Sequence, residues 1–490
     1  MKRYDDSDIK SIYEYAKKLK YLTFNDILED RVEYEKSVSE SPSMYENEDY
    51  IDSYINSLRK GGLGDFVEKV YFDIDNNSES RPDFHKVNLE LKLTPFKRLK
   101  NKNVSAKERL VISMINYNNI VGMDFYHSNL WHKIQQILMI FYLWEKEVPR
   151  IDYRIFFIHM YKPSEEDLVI IKEDFQVIKN KVIDGKAHEL SEGDTYYVGA
   201  CTKSSDSSVL VSQPFSEIEA KPRAFSFKSS YMTFILRNYI NPDRDKLDSI
   251  IKNSNFSNFE DYVISLISKY YNKTDTELFE KFDIKSGAKQ KYNMLVLKML
   301  GVNTDNAEEF EKANVEIKTI RYKLGKKPKE SMSFPEYKIN DLVKTDWEDS
   351  YIYKKFSEVK FLFVEFIESG RGYILHKAKF WNMPKHDIDS TLRKEWELYK
   401  STFISGVEFR ISDKGIVYNS LPKARDTKIL HSRPHANKAA YLIKDKNFEV
   451  GDISKDADTL PNGDMMTKQS FWLNNTYVFD EIINKSWSIK

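Results

Sequence analysis

The sequence predicts an α/β protein of two related domains, each built on a mixed, mostly antiparallel central sheet. Two observations carry this reading. The first is the stretch Arg81-Pro-Asp-Phe-His-Lys-Val-Asn-Leu-Glu-Leu-Lys-Leu-Thr-Pro95, which alternates from Val87 onward. Val87, Leu89, Leu91 and Leu93 fall on one face of a strand and Asn88, Glu90, Lys92 and Thr94 on the other. Pro95 is expected to end the strand. The second is an internal repeat. Asp83-Phe-His-Lys-Val-Asn-Leu-Glu-Leu-Lys92 aligns without a gap on Glu309-Phe-Glu-Lys-Ala-Asn-Val-Glu-Ile-Lys318, and apolar positions stay apolar.

Two flanking blocks extend the repeat. Lys60-Gly-Gly-Leu-Gly-Asp-Phe-Val-Glu68, read as a glycine turn opening a helix, lines up with Lys285-Ser-Gly-Ala-Lys-Gln-Lys-Tyr-Asn293. Phe225-Ser-Phe-Lys-Ser-Ser-Tyr231 echoes Met465-Met-Thr-Lys-Gln-Ser-Phe471. We therefore expect one domain over residues 1–240, a turn-rich and helical connection over 241–284, and a second domain over 285–490. Within the connection, Asn241-Pro-Asp-Arg-Asp and residues 252–258 read as turns, and residues 259–271 as an amphipathic helix. The loop at 454–464 is expected to be exposed.

Bulk composition narrows the function class without naming it. The 490 residues are 41% apolar, 31% charged and 14% aromatic, a composition that folds rather than staying disordered. No apolar run reaches the 18 residues of a membrane span, and the first residues carry no apolar signal core. A single cysteine, Cys201, excludes an internal disulfide and a multi-cysteine zinc site, so a cytoplasmic protein is expected. The 76 basic and 76 acidic residues cancel. Charge alone therefore does not suggest a nucleic-acid partner, although residues 97–102 and 321–329 form local basic clusters.

Chemistry concentrates at Asp83, Glu90 and Lys92. Two carboxylates hold Mg²⁺ through hard oxygens and leave positions for water and a phosphate oxygen. A lysine beside them can orient or deprotonate the water, or balance charge at phosphorus. Glu68, one turn into the preceding helix, is placed to reach the same metal. The bare spacing also recurs on ordinary charged strand faces, so it needs support from elsewhere in the chain.

That support is a resemblance. Residues 60–68, residues 82–96 with Leu89-Glu-Leu-Lys-Leu-Thr-Pro-Phe96, Ser105-Ala-Lys-Glu-Arg-Leu-Val111, residues 185–193, Cys201-Thr-Lys203 and Lys221-Pro-Arg-Ala-Phe-Ser-Phe-Lys-Ser-Ser-Tyr-Met-Thr233 resemble the MutH-like endonucleases. Arg433-Pro-His-Ala-Asn437 and residues 466–475 extend the match into the second half. The pattern is most similar to two-domain type II restriction enzymes of the Sau type, which cut at GATC. The resemblance implies two restriction-endonuclease-like domains forming a pseudo-dimer around double-stranded DNA. It implies Asp83 and Glu90 as magnesium ligands, Lys92 as the catalytic lysine and Glu68 as a further acidic group. It also implies DNA contacts from Thr202, Lys203, Arg223, Ser226, Lys228 and Lys133, and in the second copy from Arg433, His435 and Lys468. A lysine suits a guanine edge, whose N7 and O6 both accept.

The second copy has drifted where the chemistry lies: Glu68 becomes Asn293 and Asp83 becomes Glu309, while Glu316 and Lys318 remain. It is expected to bind DNA and regulate rather than cut. The chain is expected to be a monomer in solution, with dimerisation on DNA left open. Alternatives are a nicking protein of the mismatch-repair type and an inactive GATC-binding protein.

Overall fold

The computed structural model describes residues 3–38, 45, 62–74, 81–100, 103–203, 208–242, 246–252, 256, 258–285, 287, 290–370, 372–436 and 438–485. The expected turn at Lys60 and Gly61, the end of the basic cluster at Asn101 and Lys102, Asn437, and parts of the 241–258 and 285–289 stretches lie outside them. The chain divides into two units, residues 1–259 with 306–314, and residues 260–305 with 315–490.

In the first unit, β1 (Glu90–Arg98) lies parallel to β4 (Ile137–Leu143), with Glu90 opposite Ile137. β2 (Val104–Ala106) and β5 (Ile155–Tyr161) pair antiparallel on the flanks, giving the order β2-β1-β4-β5. One face of this sheet buries Leu91, Leu138, Ile140 and Ile158 against Ile12, Phe24 and Phe66 from three helices. A second sheet orders β3 (Leu110–Met114), β9 (Arg223–Phe227) and β6 (Val198–Thr202), with the hairpin β7 (Val211–Gln213) and β8 (Ser216–Ala220) between β6 and β9 in the chain.

The second unit repeats the plan. β10 (Val315–Tyr322) runs parallel to β12 (Lys360–Ser369), which pairs antiparallel with β13 (Gly372–Trp381). A three-stranded sheet orders β11 (Met332–Tyr337), β21 (Gln469–Leu473) and β16 (Leu430–Pro434). The remaining strands form the pair β14 (Phe409–Ile411) and β15 (Val417–Asn419), and a sheet of β17 (Tyr441–Ile443), β18 (Phe448–Val450), β19 (Ala457–Thr459) and β20 (Met465–Thr467). Among the described residues no helix is long and apolar enough to cross a membrane.

Several expectations are corrected. The strand starts at Glu90, because His85–Val87 form a 3₁₀ turn and Asn88 sits in the left-handed region at φ 51°. Pro95 does not end it. Antiparallel pairing with β2 begins only at Phe96, and Pro95 uses its carbonyl, which accepts the Lys107 N–H at 3.0 Å. Residues 454–464 are no exposed loop: Ala457 and Asp458 are buried in β19 and the buried Asp464 accepts from the Lys444 N–H.

The third echo of the repeat is out of register by six residues. Phe227 pairs with Leu110 and Val198, and Leu473 pairs with Met332 and Leu430, so Leu473, rather than Thr467, is the counterpart of Phe227. The helix Glu308–Ala313, expected in the second copy, clusters with the first unit. There the buried Glu309 carboxylate accepts from Ser249 Oγ and from the backbone N–H groups of Ile250 (2.9 Å) and Ile251 (3.1 Å).

Candidate active site

A closed turn assembles the first carboxylate pair. The Phe84 N–H donates to the Leu89 carbonyl at 2.9 Å and the Leu89 N–H donates back at 3.3 Å, which folds four residues into a loop. Asn88 tolerates the left-handed conformation this loop demands better than a branched residue would. The loop returns Asp83 to the start of the strand, where Oδ2 accepts the Leu91 N–H at 2.8 Å.

Glu90 is fully buried and is the centre of the site. Two ammonium groups, those of Lys92 and Lys133, donate to its Oε1, Lys133 at 2.8 Å. Its Oε2 is buried and has no hydrogen-bond partner. A carboxylate oxygen left bare in the interior is costly unless something positive meets it. This oxygen and the Asp83 carboxylate fit a hard divalent cation. Among the described residues no three His, Cys, Asp or Glu side chains form a ready-made metal cage. Magnesium, which keeps several waters, needs only one or two protein carboxylates.

The electrostatics agree. Burial pushes the Asp83 carboxyl above the ordinary aspartate range, and Glu90 adds to the rise. Burial likewise pushes Glu68 up to about 8, with Asp83 next in weight, so Glu68 feels the same cluster from the π-helical turn Val67–Tyr71. Burial pulls the Lys92 ammonium down, but the carboxylates of Glu90, Asp83 and Glu68 outweigh it and hold Lys92 above the usual lysine value.

Lys133, expected as a DNA contact, donates to the Glu90 carboxylate. Its helix, Asn129–Ile134, starts on the Ser128 hydroxyl, which accepts the Trp131 N–H at 3.1 Å, and runs into β4 beside β1. The sequence signal for this lies in the repeat: Ser350 caps the helix Tyr351–Glu358, whose Lys355 donates to Glu316 in the second unit.

The expected base-reading segments separate into exposed and buried groups. Thr202 and Lys203 are exposed at the end of β6, and the Lys203 N–H donates to the Pro222 carbonyl at 2.8 Å. Arg223, Ser226 and Lys228, expected as DNA contacts, are buried, at 5%, 0% and 3% exposure. The Arg223 guanidinium donates to the Ala200 carbonyl within β6 and the Lys228 ammonium to the Thr195 carbonyl in the segment that leads into it. In the second unit the His435 N–H donates to the Lys468 carbonyl at 3.0 Å, the same bond as Lys203 to Pro222. His435 therefore stands at the Lys203 position and Lys468 at that of Pro222. Arg433 is exposed and lies 3.6 Å over the Trp472 ring, while the largely buried Lys468 side chain faces Glu336 at 4.0 Å.

Two carboxylates that sequence reasoning missed anchor these strands. Asp174, on the helix Glu165–Ile183, is fully buried and accepts the N–H groups of Tyr196 (2.6 Å), Tyr197 (2.6 Å) and Val198 (2.8 Å). Glu395, on the helix Arg393–Ser405, accepts those of Lys428 (2.6 Å), Ile429 (3.1 Å) and Leu430 (2.8 Å). A single helix carboxylate gives no local pattern to read.

Comparison with known proteins agrees with this arrangement. The family model "DNA mismatch repair enzyme MutH" matches residues 72–174 and again 299–394, one match per catalytic-type sheet. The type II restriction enzyme Sau3AI of Staphylococcus aureus is 35% identical over 457 residues, covering 86% of this chain and 92% of that enzyme. The chain belongs to the MutH-like type II restriction endonucleases. The DNA mismatch repair protein MutH of Shewanella baltica (strain OS185) is 24% identical over 182 residues, 36% of this chain and 78% of its own length. Its counterpart in Shewanella oneidensis is 23% identical over 188 residues, 37% of this chain and 81% of its own. As a MutH-like restriction endonuclease the chain carries the family's domain twice, and only the first copy keeps the carboxylate set of Glu68, Asp83 and Glu90.

Proposed function

We propose that this endonuclease hydrolyses double-stranded DNA at GATC sites with Mg²⁺, that the first unit cuts, and that the second unit binds DNA and regulates. The bare Oε2 of Glu90 beside Asp83 is the observation that supports a metal-dependent reaction best. Glu90 Oε2 and Asp83 would hold the cation, which when bound supplies Lewis-acid charge at the phosphate and a more acidic water. Lys92 and Lys133 hold Glu90 in one orientation through Oε1 and keep two positive charges beside the place where negative charge develops. The exposed Thr202 and Lys203 are the groups of the first unit we assign to base reading, and Arg433 and His435 are theirs in the second. The GATC assignment rests on the likeness of these segments to the Sau-type enzymes, and the regulatory role on the drift of the second copy.

Cleavage of an unmethylated plasmid carrying GATC sites, with Mg²⁺ or EDTA, by wild type and Asp83→Ala, tests this. Discrete fragments ending at GATC are expected, lost both in EDTA and in the variant. An intact plasmid that still shifts in a gel would instead favour an inactive GATC-binding protein.

A further inference from the structure

The two copies treat the same glutamate differently. In the first unit both lysines donate to Glu90 Oε1, and Oε2 stays bare. In the second unit Lys355 donates to Glu316 Oε1 while Lys318 Nζ lies 3.3 Å from Oε2, so both oxygens are covered. The other carboxylates are gone as well. Asn293 replaces Glu68 in the repeat, and the carboxylate of Glu309 is taken by Ser249, Ile250 and Ile251.

The ionic balance therefore inverts. The first centre sets Glu68, Asp83 and Glu90 against Lys92 and Lys133, a net charge of −1 when all are ionised. The second sets Glu316 alone against Lys318 and Lys355, a net charge of +1. A negative pocket with a free carboxylate oxygen suits a cation. A positive pocket without one suits an anion, and Glu316 and Lys318, at 34% and 27% side-chain exposure, are open to one.

We propose that the centre formed by Glu316, Lys318 and Lys355 binds a DNA phosphodiester directly, with the Lys318 ammonium on the carboxylate oxygen that the first unit leaves bare. The proposal rests on the reading that the second unit binds DNA. What this unit kept points the same way: Arg433 in β16 and His435 just beyond it stand in the register of the first unit's Cys201 and Lys203, and Glu395 holds that strand as Asp174 holds β6. A duplex read at β16 then presents its backbone to the lysines, as a duplex read at β6 presents its backbone to Lys92.

Titration of the full chain with a short unmethylated GATC duplex in EDTA, repeated over a range of salt, tests this. Wild type is expected to take two duplexes per chain without metal. Lys318→Ala with Lys355→Ala should lose the second duplex at moderate salt, and Lys318→Ala alone should lower the salt slope of that event by about one. Glu316→Gln, which removes the internal competitor for both ammonium groups, should tighten the second event, a change of sign that lost packing does not produce. If the lysine variants and Glu316→Gln leave the second event unchanged, the phosphate site is wrong while DNA binding by this unit stands. A second event that appears in wild type only with a divalent cation also overturns the proposal. If wild type takes one duplex and Arg433→Ala does not alter it, the reading beneath the proposal has failed.

Discussion

Lys133 joins the site at the scale of a single residue. It touches the same Glu90 oxygen as Lys92 does, lies 43 residues from Glu90 in sequence, and is only 14% exposed at its side chain. On the proposed reading, a lysine so placed would act through Glu90 and through charge at the reacting phosphate. Lys133→Ala is expected to lower the single-turnover rate at saturating DNA and Mg²⁺ by about 10²-fold, the cost typical of removing one preorganised charge-stabilising group. DNA affinity in EDTA should barely change. A raised KM with an unchanged rate would return Lys133 to the DNA-contact role expected from sequence. Asp83, Glu90 and Lys92 were legible because they sit within ten residues and obey a strand period. Lys133 was visible only as a basic residue, since nothing local ties it to Glu90.

At the scale of elements, the decisive units are a turn and two anchored strands. The left-handed Asn88 and its counterpart Asn314, at φ 51° and 55°, lie two residues before Glu90 and Glu316, so the repeat preserved a backbone shape as well as side chains. The helix carboxylates Asp174 and Glu395 differ by one methylene, yet each gathers three successive N–H groups at the start of its strand, β6 or β16. Burial pushes Asp174 up to about 6 in spite of those three donors. Asp174→Asn replaces a charged acceptor with a weaker one and adds an N–H₂ among donors. It is expected to cost about 2 to 3 kcal/mol of stability and to weaken GATC discrimination more than it slows cleavage at saturating DNA. Thermal melts and a comparison of GATC with one-base variants check both effects, and unchanged discrimination would reduce the clasp to a purely structural role. Pattern reasoning could not find it, because one acidic residue on an amphipathic helix looks like any other until the strand it meets is in place.

At the scale of the whole molecule, protons and the proposed metal would compete for the same charges. Glu68, raised by burial from 4.5 to about 8, keeps a proton in the folded protein that the unfolded chain gives up. Its contribution to stability is full below the unfolded value and is lost as pH rises through about 8. His159, lowered by burial to about 4, works in the opposite direction but only below its ordinary value of 6.5. Lys379, lowered by burial to about 8, stabilises in the opposite sense only above that pH. Between about pH 6.5 and 8, then, metal-free wild type should melt at a falling temperature, Glu68→Gln should show a shallower fall, and Mg²⁺ should raise the melting temperature more at pH 8 than at pH 6.5. Calorimetry with and without Mg²⁺ checks this, and parallel curves for wild type and Glu68→Gln would remove Glu68 from the site.

The sequence by itself determined the α/β class and the duplication, and it marks the first copy as the one that keeps Glu68, Asp83 and Glu90 together. These follow from short-range periodicity and from residue types at matched offsets, which survive without knowledge of the fold. Only the tertiary structure decided that Glu90 keeps a bare oxygen while both oxygens of Glu316 are covered, because that depends in part on lysines 43 and 39 residues distant. It likewise decided that Arg223 and Lys228 face inward, that Glu309 serves Ile250 and Ile251 rather than a metal, and that Leu473 is the partner of Phe227 in the repeat. Burial and charge pairing are set by groups that meet only when distant segments pack, so a linear pattern fixes the residues available and the fold fixes what each one does.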